Sequence, residues 1–154
     1  MRFWFDTEFI EDGKTIELIS IGITSEDGRN FYVENSECDL SRGCEWVQKN
    51  VIPHLGGPSA TRAEIARQVR EFVGEDPEFW AYFCSYDWVV LCQLYGRMVD
   101  LPKSWPMFCR DVKQLQVDRG LTTLPKQWSV AHNALNDAVW TRSAWEYVMA
   151  FDAP

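Results

Sequence analysis

Arg2-Phe3-Trp4-Phe5-Asp6-Thr7-Glu8-Phe9 is a short aromatic run that carries two acids separated by a single residue. Aromatic side chains favour strands, and on a strand successive side chains alternate between faces, so Asp6 and Glu8 project from the same face. Two like charges ~4 Å apart repel by about 4 kcal/mol at an effective dielectric of ~20. Either the pair is an exposed acidic strand end, the simpler reading for an isolated D-x-E, or something positive lies between the acids.

Outward from this strand the same composition recurs at residues 17–24 and 28–34, with turns marked by Gly13 and Gly28. The opening is expected to be an antiparallel three-strand meander. Residues 44–55 then show helical spacing through Trp46, Val47, Val51, Ile52 and Leu55, broken by Pro53 and Gly56-Gly57-Pro58. Thr61 with Glu64 forms a capping-box signature ahead of an apolar stripe (Ile65, Val69, Phe72, Val73) that stops at Gly74. Residues 78–83 suit a buried strand and residues 86–95 an apolar helix. A strand at 107–110 comes next, with Asp111 placed to cap a helix over 112–119 that Gly120 ends. A loop containing Pro125 and Trp128 leads to His132 and a last helix, 133–150, with Leu135, Ala138, Val139, Trp145, Val148 and Met149 expected to face inward. A meander followed by alternating helix and strand implies one α/β domain over residues 1–154, a mixed sheet with helices on both faces.

Eight Trp and a hydrophobic fraction of 46% exclude a disordered chain. No apolar run approaches the ~20 residues that span a bilayer, and the first residues lack a signal-peptide pattern, so no membrane contact and a cytoplasmic location are expected. Five cysteines without a C-x-x-C pair fit neither a disulfide framework nor a thiolate zinc site, and Cys84, Cys92 and Cys109 read as core residues. The net charge of -8 argues against nucleic-acid binding through a broad basic patch. A polyanionic substrate would therefore need bound cations.

Two further acids carry chemistry. Asp87 opens the 86–95 helix, whose dipole favours its ionised form; alone it reads as a first-turn helix acid. His132-Asn133-Ala134-Leu135-Asn136-Asp137 sets a histidine ahead of a helix and an acid in its first turns. Ala134, one turn before Asp137, keeps that surface small enough for the acid to approach Asp6 and Glu8. Otherwise Asn133 or His132 is an N-cap and Asp137 a solvated helix acid.

The order D-x-E, isolated Asp, H-x-A-x-x-D resembles the DEDDh 3′-5′ exonucleases of the RNase H-like superfamily, and the resemblance covers essentially the whole chain. It implies two Mg2+ (or Mn2+) ions: Asp6 bridging both, Glu8 and Asp137 completing one shell, and Asp87 holding the other ion through water. Hard oxygen donors favour magnesium or manganese over zinc. His132 is then the general base, worth ~10²- to 10⁴-fold in rate, and nucleoside 5′-monophosphates are released from the 3′ end.

The start of the chain and Trp80-Ala81-Tyr82-Phe83-Cys84-Ser85-Tyr86-Asp87-Trp88 look most like small mycobacterial-type exoribonucleases. These trim single-stranded RNA with a preference for adenylate tails and form homodimers. One departure is Phe83, where the wider family commonly has Asn. Thr7, Phe9 and Trp88 are candidate substrate contacts. Lys126, Arg110 and Arg119 are candidate phosphate contacts, and His54 reads as a surface or capping residue. A DNA exonuclease of the same superfamily and a non-catalytic binding module on this fold are the alternatives.

Overall fold

A computed structural model describes residues 1–151; the last three positions of the expected 1–154 domain lie outside the described residues. β1 (Arg2–Glu11) and β2 (Ile16–Ser25) pair antiparallel, and β3 (Asn30–Asn35) completes the meander on β2. The parallel partners are β4 (Ser59–Ala60) on β3, β5 (Glu78–Ala81) on β1 and β6 (Arg110–Asp111) on β5. The result is one six-stranded mixed sheet in the order β4-β3-β2-β1-β5-β6.

β1 is central and covered on both faces, which explains why it reads as an unbroken aromatic run rather than an alternating one. Phe3 and Phe5 face a core shared with α2 (Arg62–Val73) and α3 (Ser85–Gln93), through Ile65, Val69, Trp88 and Leu91. On the other face Trp4 packs with Trp80, Val112 and Ala144, the last two from α4 (Val112–Asp118) and α5 (Ala134–Ala150). Farther along, Ile10 and Ile19 meet Val47 of α1 (Glu45–Asn50) and Val51 just beyond it. Asp6 and Glu8 lie between Trp4 and Ile10 on that face.

Several expected elements are shorter. The 44–55 helix ends at Asn50 and gives way to a 3₁₀ turn, Ile52–His54, because Pro53 cannot donate a helical hydrogen bond. The expected strand over 107–110 shrinks to two residues at the sheet edge, where Asp111 leaves the strand and caps α4 by accepting from the Lys113 and Gln114 N–H groups at 2.7 and 3.4 Å.

The inward stripe of α5 is Ala134, Ala138, Thr141, Ala144 and Val148, whereas Val139 and Met149 are exposed, contrary to expectation. Small residues line the part of α5 that rests on the sheet, while Trp145, as expected, packs inward against Trp4 and Trp80 with ring centroids 5.2 and 5.9 Å away. Of the three cysteines expected in the core, only Cys92 is buried; Cys84 and Cys109 sit half-buried near the edge strand. His54 is exposed, as expected. Among the described residues no helix is long and apolar enough to cross a membrane.

Candidate active site

β5 stops at Ala81, and its last partner on β1 is Trp4. The β5-side edge of β1 is therefore open beyond that point, and its backbone donors need other partners. Asp87, in the first turn of α3, supplies one: its Oδ1 accepts the Thr7 N–H at 2.9 Å and the Thr7 hydroxyl at 2.7 Å. A buried carboxylate is thus fixed beside the strand that carries Asp6 and Glu8.

Asp137 arrives from the opposite direction. Gly22 lies across from Asp6 on β2, and a Cβ there would stand 2.2 Å from the Leu135 nitrogen and 2.3 Å from the Ala134 carbonyl carbon. The first turn of α5 rests directly on strand backbone, an approach only glycine permits. Asn133 caps this turn by accepting from the Asn136 N–H at 3.2 Å. Asp137 accepts the His132 N–H at 2.8 Å and a bond from the Gln127 amide. His132 holds a left-handed backbone, φ 64°, uncommon for a residue with a side chain. Its imidazole meets the Trp46 ring edge-to-face, with centroids 4.7 Å apart and planes at 80°.

The five sequence-nominated residues, Asp6, Glu8, Asp87, Asp137 and His132, line one cavity of about 350 Å³, joined by Thr7 and Phe9 and by Tyr82, Gln127 and Trp140. Donor atoms of Glu8, His132 and Asp137 lie within 4.8 Å of one another. Burial, and then repulsion from Asp87, Glu8 and Asp137, holds the Asp6 carboxyl well above its ordinary range. Burial followed by the Asp137 and Asp87 charges pushes Glu8 up to about 8. Asp87 rises to about 6 through burial, even though its two bonds from Thr7 favour the ionised form. Carboxylates so crowded are expensive to ionise together, and a divalent cation among them relieves that cost. The all-oxygen acid set suits a hard ion, with His132 at its margin.

Other nominated contacts divide. Phe9 reaches the cavity and packs on Tyr86 at 5.8 Å. Thr7 also lines it, but its N–H and hydroxyl are engaged in orienting Asp87. Trp88 is corrected as a substrate contact: it is 9% exposed and packed against Phe5 and Phe79, because α3 turns it toward the sheet while Asp87 faces the cavity. Of the cations, Arg110 lies over Trp80 and Phe108, Arg119 donates to the Phe151 carbonyl at 3.2 Å and Lys126 covers Trp128; none lines the cavity. Phe83 is exposed in a left-handed turn, φ 57°.

Gly22, Gln127, Tyr82, Trp140 and Trp46 were not read from the sequence as residues of the site. A glycine inside a strand does signal close backbone approach; for the other four no local pattern exists.

The profile of a family described as the 3′-5′ exoribonuclease Rv2179c-like domain matches residues 1–149. The chain is 45% identical over 146 residues to 3′-5′ exoribonuclease Rv2179c of Mycobacterium tuberculosis (strain ATCC 25618 / H37Rv), covering 90% of this chain and 87% of that protein. The same identity and coverage hold for 3′-5′ exoribonuclease MT2234.1 from strain CDC 1551 / Oshkosh. Among solved structures, E. coli exonuclease I in complex with a dT13 oligonucleotide superposes with a TM-score of 0.63 at 13% identity, over 97% of this chain and 41% of that one. A structure of the yeast NOT1 MIF4G domain co-crystallised with CAF1 gives 0.51 at 11% identity, over 96% of this chain and 80% of the matched one. At such identities these structures speak to the fold alone.

Proposed function

The chain belongs to the Rv2179c-like 3′-5′ exoribonuclease family, and from that premise we propose that it hydrolyses single-stranded RNA from the 3′ end to nucleoside 5′-monophosphates. The observation that carries this reading is the convergence, in one cavity, of four acids drawn from β1, α3 and α5 with a histidine beside them. Asp6, Glu8, Asp87 and Asp137 would hold two Mg2+ or Mn2+ ions, which supply an activated water and stabilise the leaving 3′ oxygen.

The protein's own groups do the rest. Thr7 fixes the rotamer of Asp87 by donating twice to one of its oxygens, Oδ1. The Asp137 carboxylate ties down the His132 backbone, so the imidazole stands beside the acids and takes the proton of the attacking water. Phe9 offers a ring at the cavity wall on which a base can stack, worth about 1–3 kcal/mol. Adenylate-rich tails as preferred substrate, and a homodimer as the working form, follow from the group the sequence resembles.

The test is single-stranded RNA labelled at either end, incubated with Mg2+ or with EDTA, beside a DNA oligonucleotide of matched sequence. Stepwise shortening from the 3′ end that stops without metal is expected; internal cuts or metal-independent cleavage would refute it. Faster loss of the DNA would reassign the substrate. Homopolymers compared at equal length, and light scattering, decide the adenylate preference and the dimer.

A further inference from the structure

We propose that Trp46 is a positioning residue that holds the His132 imidazole at the acid cluster. This rests on His132 acting as the base.

His132 ends a segment, residues 121–133, that contains no helix or strand. Its backbone is tied to Asp137, but among the described residues its ring takes part in no hydrogen bond. The imidazole would otherwise be free to turn about its own torsions. What meets it is the Trp46 ring, edge-to-face at 4.7 Å and 80°, a favoured geometry for aromatic pairs.

The placement of Trp46 has no explanation in the core. α1 buries Val47 alone, while Trp46 stays 51% exposed. α1 is anchored through Val47 and the following Val51 to Ile10 and Ile19. Ile10 shares β1 with Asp6 and Glu8, so Trp46 and those acids stand on one rigid base. Through this contact a histidine on an irregular segment is referenced to the strand bearing its metal ligands. A small misplacement of a catalytic group is costly in rate.

The experiment measures kcat and KM on single-stranded RNA with Mg2+ for Trp46→Ala, Trp46→Phe, His132→Ala and the Trp46→Ala/His132→Ala double variant. Trp46→Ala should lower kcat by about tenfold or more, with KM changed less than about threefold, and Trp46→Phe should recover most of the loss. In the His132→Ala background, Trp46→Ala should cost nothing further, as for residues acting as a unit. Calorimetric Mg2+ affinity should be unchanged in both single Trp46 variants.

The proposal is overturned if Trp46→Ala leaves kcat intact, if it acts on KM alone as a direct nucleotide contact would, or if its cost persists undiminished without His132. If His132→Ala itself leaves kcat unchanged, the base assignment falls and this proposal with it. In that case metal-dependent 3′ trimming by the unaltered protein would still stand.

Discussion

At Asp6, function and stability oppose one another. Its carboxyl is pushed upward by burial and by three neighbouring acids, so replacing it with a neutral isostere removes repulsion from the folded state. Asp6→Asn should raise the metal-free melting temperature while abolishing turnover; a scan in EDTA beside a turnover assay reads both. Gly22 makes the converse case. A single methyl there collides with the first turn of α5, so Gly22→Ala should cost about 1–3 kcal/mol by overpacking and weaken Mg2+ binding by moving Asp137, measurable by denaturant melts and calorimetry. The acids and His132 were legible because three short motifs occur in a recognisable order. Trp88 was misjudged because adjacency to Asp87 in sequence says nothing about which way a helical neighbour faces: one position is about 100° of rotation.

Among elements, the strands of the meander and the helix capped by Thr61 were legible because apolar periodicity and caps are local signals. The loop before α5 was legible too, from Pro125 and the absence of any apolar period, whereas the edge strand β6 was read too early and too long, over 107–110, since two residues are too few for a period to show. The early end of β5 was also missed, although it opens the edge on which Thr7 orients Asp87. Thr7→Val keeps the N–H bond and loses the 2.7 Å hydroxyl bond. It should cost about 1 kcal/mol of stability and reduce kcat less than Asp87→Ala does; parallel kinetics of the two variants and a melt check this.

For the whole molecule, the raised acids set the response to pH. Glu8 has a folded value of about 8 against 4.5 for the free group, and Asp87 about 6 against 3.8. The folded protein therefore binds more protons than the unfolded chain. The associated stability is fully present below the unfolded values and is lost as pH rises through the folded ones. Metal-free protein should lose stability between about pH 5 and pH 8, by a few kcal/mol at most. If these acids hold Mg2+ as proposed, it would displace those protons and the stabilisation it gives should grow over the same interval; melts in EDTA and in Mg2+ across the range test both slopes. The mixed sheet was foreseeable from the element order, but the depth of this burial was not, because it depends on how closely α5 approaches β2.

The antiparallel half of the sheet is closed by short hairpins, whereas Thr7 and Asp87 stand 80 positions apart when they meet. Loops of that length are slow to close, and contacts between distant residues set the pace of folding. During refolding from denaturant the meander should therefore organise early, and the acid-lined cavity only after α5 has returned to Gly22. Recovered enzyme would then lag behind the recovered strand signal in far-ultraviolet circular dichroism, and a chain caught between the two stages would hold its sheet while leaving RNA uncut.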